Sequence, residues 1–223
     1  MERLIRFSGV GKGDSVLDVA CGPGLVTCAF AAEAGQVTGI DLTPAMIAKA
    51  KEGQRARGLT NVTWDLGEST ALPYRDDTFS LVITRYSFHH FPEPHLAWKE
   101  MRRVCVPGGI VMVVDVALPE EKREKYDEFE RIRDPSHTSA LTLEEFPQMA
   151  REVGLREVRT DFYRLEMELE QQLKASFPEA GTEECLRNRL LADLGKDHLG
   201  LQVEEREGKI WFSYPTFVIA GRK

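Results

Sequence analysis

Cysteine is scarce in this sequence, and no two cysteines are spaced as a C-x-x-C pair. The four thiols, at Cys21, Cys28, Cys105 and Cys185, are scattered over 223 residues and have no histidines at metal-binding spacing beside them. Neither a disulfide framework nor a zinc site is indicated by such a pattern. We therefore expect reduced, mostly buried cysteines and no bound metal.

Long apolar runs and an excess of positive charge are also missing. No apolar stretch approaches the roughly 20 residues of a membrane span, and the first residues, MERLIRFSGVGKGD, lack the apolar core of a signal peptide. The 29 Lys and Arg are outnumbered by 36 Asp and Glu, which gives a net charge of −7. A broad nucleic-acid-binding face needs clustered basic residues. We expect a cytoplasmic protein with no membrane span, and nucleic acid is disfavoured as a partner.

The first half of the chain alternates short apolar runs with helical patterns, which is typical of βα units around a parallel sheet. Strands are predicted at SVLDVA, QVTGID, NVTWDLG, FSLVITRY and IVMVVDVAL. Helices are predicted over 24–34, 43–58 and 94–104. The last of these strands lacks polar alternation, as expected for a strand buried on both faces.

The second half departs from this alternation. Residues 119–135 are dense in mixed charge, with Tyr126, Phe129 and Ile132 spaced for one helical face, which indicates either an amphipathic lid or a solvated surface helix. The sequence from Thr142 to Glu145 is a capping box that predicts a helix ending at Gly154.

The remaining elements are a strand, a helical insert and a last strand. The apolar residues follow a period of two from Val158 to Leu169, and a helical stretch is predicted over about 170–199. The final strand is WFSYPTFVIAG. Because Pro215 removes a ladder donor, we expect regular pairing to begin after it or a bulge to form there.

The stretch VLDVACGPGLVT predicts a ligand site, because a glycine turn between a strand and a helix bares backbone amides. The dinucleotide fingerprint is G-x-G-x-x-G, yet Thr27 stands at the third glycine position after Gly22 and Gly24. The turn is also preceded by an acid, Asp18, where a dinucleotide turn begins with glycine. An oxidoreductase that uses a nicotinamide is therefore a weak alternative.

Acids mark the ends of the first three predicted strands: Asp18 lies near the end of the first, Asp41 closes the second and Glu68 follows the third. A buried acid at a strand end is costly unless a positive or hydrogen-bonding group meets it, and an acid after the second strand typically binds ribose hydroxyls. The ligand therefore resembles a nucleoside without a pyrophosphate that bears a cationic group. S-adenosylmethionine fits each of these features.

Four motifs occur in order between about Val16 and Gly109: VLDVACGPG, TGIDLTPAMIAKAK, GESTALPYRDDTFSLVITRYSFHHF and VPGG. In these the chain resembles the class I S-adenosylmethionine-dependent methyltransferases, type 11 branch, related to ubiquinone and menaquinone biosynthesis methyltransferases. The resemblance implies an α/β fold: a Rossmann-like, seven-stranded, mostly parallel sheet with helices on both faces, the last strand antiparallel and a helical insert before it.

The resemblance also implies the organisation of the chain. Residues 1–223 would form a single domain, with a donor-binding core over 1–118 and lid or acceptor-side insertions over 119–141 and 170–207. The cofactor would be S-adenosylmethionine, with S-adenosylhomocysteine as product. The partner would be a small-molecule acceptor, and the protein a monomer or a homodimer.

Carried over residue by residue, the resemblance implies a set of donor-contacting residues. These are Asp18, Ala20, Cys21, Gly22, Gly24, Asp41, Leu42, Met46, Gly67, Glu68, Ser69, Arg85, Tyr86 and His90. The backbone from Ala20 to Gly24 would pass under the methionine part, with Asp18 near its amino group. Asp41 would hold both ribose hydroxyls.

The same carry-over implies how the adenine and the acceptor are placed. Leu42 and Met46 would flank the adenine, and Glu68 with the amide of Ser69 would bind its edge. The stretch from Arg85 to His90 would lie beside donor and acceptor.

The sequence departs from the family pattern at three positions. Ala20 replaces the commonest first glycine, Glu68 stands where aspartate is usual, and Ser80 replaces the aspartate of the usual Phe-Asp pair. Backbone amides and a longer carboxylate can serve the same purpose at the first two positions, and Ser80 is expected to be structural.

Methyl transfer from a sulfonium requires alignment of acceptor, methyl and sulfur, and it requires a base only if the accepting atom is protonated. Histidines with near-neutral pKa suit that role. We expect His137, together with His90, to face the acceptor. A magnesium-dependent catechol enzyme would need carboxylates after strands four and five, and of these only Asp115 is present.

The accepting atom, an O, N or C of a small molecule, is left open. The alternatives are a quinone-precursor or RNA methyltransferase, or a non-catalytic protein that binds S-adenosylmethionine. The acidic composition weighs against both a membrane surface and RNA.

Overall fold

The structure is a computed structural model that describes residues 1–175 and 181–223. Residues 176–180, which belong to the helical stretch predicted over 170–199, lie outside the described residues. In the described ranges, no helix is long and apolar enough to cross a membrane.

The described chain forms nine strands that join one sheet. They are β1 (Ser15–Val19), β2 (Gln36–Asp41), β3 (Val62–Leu66), β4 (Phe79–Arg85), β5 (Cys105–Leu118), β6 (Leu141–Thr142), β7 (Arg156–Glu168), β8 (Glu204–Arg206) and β9 (Lys209–Arg222). The main path runs β3-β2-β1-β4-β5-β9-β7. Neighbours from β3 to β5 are parallel, whereas β9 is antiparallel to both β5 and β7.

This topology confirms the α/β fold with a mostly parallel sheet and an antiparallel last strand. Seven strands lie on the main path as predicted, and the short strands β6 and β8 add to β5 and β9. Strand β5 begins at Cys105, earlier than the predicted Ile110, because residues before the glycine pair already lie beside β4.

The helices are α1 (Glu2–Ser8), α2 (Leu25–Ala31), α3 (Pro44–Ala56), α4 (Pro94–Val104), α5 (Glu120–Arg133), α6 (Glu145–Glu152), α7 (Leu169–Ala175) and α8 (Glu183–Asp193), with a 3-10 turn at Phe88–His90. The predicted bounds of α4 are confirmed. The capping box before α6 is also confirmed, since the Thr142 amide donates to Glu145 Oε2 at 2.8 Å and the Glu145 amide donates to Thr142 Oγ1 at 3.2 Å.

Pro215 lies within β9, and the expectation for it is right on one side of the strand only. Pairing with β5 starts at Thr216, directly after the proline. Pairing with β7 continues without a break through Pro215, which lies opposite Arg164. The missing proline N–H therefore interrupts no pairing with β5, because that pairing covers only the residues after Pro215.

Helix α5 packs over the carboxyl end of β5 with its apolar face inward. Tyr126 and Phe129 are 3% and 2% exposed, and they pack with Leu186 and Leu190 of α8 in one buried cluster. Of the two interpretations of residues 119–135, a solvated surface helix is therefore wrong. The helix encloses space at the end of the sheet where β1, β2 and β4 also terminate.

Candidate functional site

The turn after β1 is tied to the end of β2. Ala20, Gly22 and Gly24 all have positive φ, of 54°, 54° and 79°. The Gly22 amide donates to Asp41 Oδ2 at 2.8 Å, and the Cys21 amide donates to the Ile40 carbonyl at 3.0 Å. The left-handed conformations bend the chain sharply, so that backbone and Asp41 carboxylate meet at one edge of the sheet.

Asp18, which precedes this turn, is hydrogen-bonded to Thr27 in the helix that follows it. Its carboxylate is 1% exposed, and Oδ2 accepts hydrogen bonds from the Thr27 amide at 2.9 Å and the Thr27 hydroxyl at 2.6 Å. Burial raises the pKa of Asp18 to about 7. The side chain points toward the start of α2 and lines neither cavity, and its place beside a ligand's amino group stays a prediction.

A cavity of about 420 Å³ opens above the ends of β1, β2 and β3, and we call it the Asp41 cavity. It is lined by Ala20, Ile40, Asp41, Leu42, Gly67, Glu68, Ser69, Thr70, His90, Phe91, Pro92 and Glu93. Seven of the expected donor-contacting residues are among them. Leu42 is 66% exposed, so its apolar side chain is accessible to a ligand in this cavity.

Other expected residues lie close to this cavity without lining it. Cys21 is buried, and Met46 is half-buried on α3. Gly22 and Gly24 shape the turn through their backbone, and an added Cβ at Gly22 would meet no atom within 4 Å.

Asp41 has a structural role that leaves room for a ligand. Oδ1 accepts from the Thr43 amide at 2.9 Å, at the start of α3, and Oδ2 accepts from the Gly22 amide. A carboxylate offers about four acceptor positions. Asp41 can therefore cap α3, hold the turn and still accept two hydroxyl groups.

A second cavity, of about 360 Å³, lies under α5, and we call it the Glu130 cavity. It is lined by Arg85, Tyr86, His89, His90, Val116, Tyr126, Glu130, Arg133, Leu165, Met167, Gln172 and Tyr214. Arg85 and Tyr86, expected beside the donor and acceptor, thus line this cavity and not the first. Three tyrosine rings and three aliphatic side chains make most of its wall apolar.

Buried polar atoms face this apolar wall. Glu130 is 1% exposed, and its Oε2 accepts from Arg133 Nε at 2.7 Å and Nη2 at 2.5 Å. Within the described residues, Glu130 Oε1 and Tyr214 Oη form no hydrogen bond of normal geometry, yet the two groups lie close enough for Glu130 to raise the pKa of Tyr214. The cavity wall therefore holds an acidic and a phenolic group whose hydrogen bonding is incomplete.

His90 is the residue that both cavities share. Its Nδ1 lies 3.1 Å from both the carbonyl oxygen and the hydroxyl of Ser136. Burial and the neighbouring charge of His89 lower the pKa of His90. A neutral imidazole therefore stands between the two cavities.

His137 does not face either cavity, contrary to expectation. Its side chain is 0% exposed, and Nε2 lies 2.7 Å from Asp127 Oδ1. Asp127 also accepts from the Ala140 amide at 2.9 Å and the Ser139 hydroxyl at 2.7 Å. The interaction fastens residues 134–140 to α5, so the geometry gives His137 a structural role and does not support the base role expected for it.

Sequence reasoning missed a pair formed by His89 and Asp115. His89 Nδ1 lies 2.6 Å from Asp115 Oδ1, and His89 lines the Glu130 cavity. The order of the strands could have indicated this pair. Strands β4 and β5 are neighbours and Arg85 pairs with Val114, which brings the residues that follow these two positions close together. From the sequence alone, Asp115 is identified only as a candidate metal ligand. In the described parts of the chain, no group of three or more His, Cys, Asp or Glu is placed to hold a metal ion.

The turn offers a direct test of its backbone strain. Ala20 holds φ at 54°, a region that costs a non-glycine residue about 1–2 kcal/mol. We expect Ala20→Gly to raise the free energy of unfolding by about 0.5–1 kcal/mol after the added entropy of the unfolded glycine. Urea unfolding measures this difference, and a destabilised variant would show that Ala20 is not strained.

Comparison with known proteins is consistent with this geometry. A protein family described as "Methyltransferase domain" matches residues 17–113. The uncharacterized methyltransferase YcgJ of Bacillus subtilis is 27% identical over 226 residues, covering 99% of this chain and 88% of its own length. The crystal structure of YcgJ superposes with a TM-score of 0.89 at 25% identity, over 100% of this chain and 97% of that one.

Two further relatives are less complete. Demethylmenaquinone methyltransferase of Staphylococcus aureus is 35% identical over 121 residues, which is 53% of this chain and 49% of that protein. Phosphoethanolamine N-methyltransferase 2 of Haemonchus contortus, solved with S-adenosylhomocysteine, has a TM-score of 0.67 at 19% identity and shares the fold over 99% of this chain and 51% of its own.

Proposed function

We propose that this chain, which is a class I S-adenosylmethionine-dependent methyltransferase, transfers a methyl group from S-adenosylmethionine in the Asp41 cavity to a small molecule in the Glu130 cavity. The observation that carries the proposal is that the two cavities share a lining residue. His90 lines both, which would place a donor in one beside an acceptor in the other.

The residues of the Asp41 cavity fit the donor. Asp41 has free acceptor positions for the ribose hydroxyls, and the exposed Leu42 offers an apolar face to adenine. Glu68 and Ser69 stand at the end of β3, where an adenine edge would lie. The bound donor supplies a methyl group on a positively charged sulfur, which suits a site whose lining carboxylates are Asp41, Glu68 and Glu93.

Arg85 provides a positive charge in the Glu130 cavity, which shares His90 with the Asp41 cavity. Its guanidinium lies 4.2 Å from the centre of the Tyr86 ring, and its Nε has no hydrogen-bond partner within the described residues. We propose that Arg85 binds the carboxylate of the donor's methionine part. The ring stacking fixes the guanidinium in place for this contact.

The proposal divides the chain by function. Residues 1–118 would bind the donor, and residues 119–141 and 170–207 would cover the acceptor. Tyr126, Glu130 and Arg133 of α5 and Gln172 of α7 line the Glu130 cavity, which supports this division. The enclosed volume suits a small molecule better than a polymer.

Titration calorimetry with S-adenosylmethionine, S-adenosylhomocysteine and NADH tests the proposal. We expect micromolar binding of the first two and none of NADH. Asp41→Ala should weaken binding at least tenfold, about 1.4 kcal/mol, because the ribose hydroxyls and the turn lose a shared partner.

The matched control for that titration is Glu33→Ala, which removes an exposed acid just after α2. It should bind S-adenosylhomocysteine as the parent does. Binding of NADH in preference to S-adenosylhomocysteine, or equal binding by Asp41→Ala and the parent, would contradict the proposed function.

A further inference from the structure

We propose that His89, oriented by Asp115, is the general base of the reaction, and that the acceptor therefore carries a proton on its accepting atom, as a hydroxyl, a phenol or an acidic carbon does. This inference rests on the proposed function. It excludes acceptors that react through a free lone pair, such as thioethers and tertiary amines.

Asp115 fixes the imidazole from inside the protein. Its carboxylate is 1% exposed, and Oδ1 accepts from His89 Nδ1 at 2.6 Å and from the Val116 amide at 2.7 Å. Oδ2 accepts from the Phe88 amide at 2.7 Å. Because these three hydrogen bonds reach the carboxylate from different groups, it has little freedom to rotate. The imidazole ring bonded to it is held in one orientation as well.

The other ring nitrogen is the one available to a substrate. His89 lines the Glu130 cavity, and because Nδ1 is held by Asp115, Nε2 is the ring nitrogen left to meet a molecule there. A carboxylate at Nδ1 keeps the proton on that nitrogen in the neutral ring, so Nε2 carries the lone pair. This is the arrangement of a base that is oriented by an acid.

The charges around His89 favour proton uptake. Asp115 on β5 and Glu130 on α5 attract the proton, while Arg133 on α5 and the adjacent His90 oppose it; the His137 ring lies 5.5 Å away. Burial by itself lowers the pKa of His89, but the charge and hydrogen bond of Asp115 outweigh it and the pKa is raised. A base of raised pKa is a stronger base, provided that the pH exceeds its pKa.

The step balances without another reactant. The proton of the acceptor moves to His89 Nε2, and the electron pair of that bond forms the new bond to the methyl carbon. The pair of the carbon–sulfur bond remains on sulfur, which becomes a neutral thioether. The imidazolium that results is stabilised by Asp115 and later loses its proton to water.

Nitrogen NMR of the histidine rings tests the base directly and needs no acceptor. The full chain is labelled with ¹⁵N-histidine and titrated with S-adenosylhomocysteine bound. We expect neutral His89 to carry its proton on Nδ1, with a pKa above that of an ordinary histidine, and we expect Asp115→Asn to lower that pKa. His198→Gln, at a side chain 58% exposed, is the control and should leave His89 unchanged.

Two NMR results would overturn the inference: a proton on Nε2 in the neutral ring, or the same pKa in Asp115→Asn as in the parent. Loss of S-adenosylhomocysteine binding by the parent protein would instead count against the proposed function. The two failures are therefore distinguishable.

Probe acceptors separate a base from a structural histidine. With phenol, His89→Gln should lower methyl transfer about 100-fold or more, and transfer by the parent should rise with pH as His89 loses its proton. With 4-nitrophenol at about pH 8, where the probe is already ionised, the same variant should lose no more than about threefold. Two results would overturn the inference. One is an equal loss of methyl transfer with phenol and 4-nitrophenol, and the other is methyl transfer that occurs only with thiophenol and is unchanged in His89→Gln.

Discussion

Gly24→Ala should be destabilised by about 3 kcal/mol and should lose donor binding. The residue has φ of 79°, and an added Cβ would overlap the Trp64 ring and lie 3.0 Å from the Ala50 Cβ. The left-handed conformation costs alanine about 1–2 kcal/mol, and overpacking costs about 1–3 kcal/mol. The indole cannot move cheaply, because its Nε1 donates to Gln54 Oε1 at 2.6 Å.

The comparison variant is Gly208→Ala, at φ of 73° with no atom within 4 Å of the added Cβ. It should lose only the conformational part, about 1 kcal/mol, and should keep its affinity for S-adenosylhomocysteine. Urea unfolding and calorimetry on the three proteins measure both effects. If Gly24→Ala matched Gly208→Ala in stability, the close packing of the turn against Trp64 would be refuted.

Arg133→Met should be destabilised by about 3–5 kcal/mol, because the change leaves Glu130 as a buried carboxylate without its partner. Glu130 is 1% exposed, and the side chain of Arg133 is 16% exposed. The methionine replaces most of the lost volume. The expected loss therefore reports the unpaired charge more than a cavity.

The double variant Glu130→Leu/Arg133→Met separates those causes. Removing both charges should restore most of the stability, to within about 1 kcal/mol of the parent, because two apolar residues need no mutual compensation. A thermodynamic cycle by urea unfolding measures the coupling. A double variant as unstable as Arg133→Met would indicate that volume and not charge dominates.

The donor half of the site could be predicted from the sequence because its signals are local. A strand, a glycine turn and a helix follow one another within about a dozen residues. Asp41 ends β2 and Glu68 comes shortly after β3, at the same edge of a parallel sheet. Residue order along the chain therefore specifies Asp41, Leu42 and Glu68 as neighbours, and the structure places them in one cavity.

The acceptor half depends on contacts that residue order does not specify. His89 meets Asp115 across two strands, and His137 is turned away because Asp127, ten residues earlier on α5, accepts its Nε2 hydrogen. These buried carboxylates decide that His89 lines the Glu130 cavity and that His137 does not. Asp18 is turned inward in the same way, since both the amide and the hydroxyl of Thr27 donate to its Oδ2.

The position of the donor's methyl group tests the central claim most directly. With S-adenosylmethionine labelled with ¹³C in that methyl, nuclear Overhauser contacts can be recorded to the protein without any acceptor present. We expect contacts to the rings of His90 and Tyr86, where the Asp41 and Glu130 cavities meet. Contacts only to residues away from the Glu130 cavity, or a methyl group exposed to solvent, would contradict transfer between the two cavities.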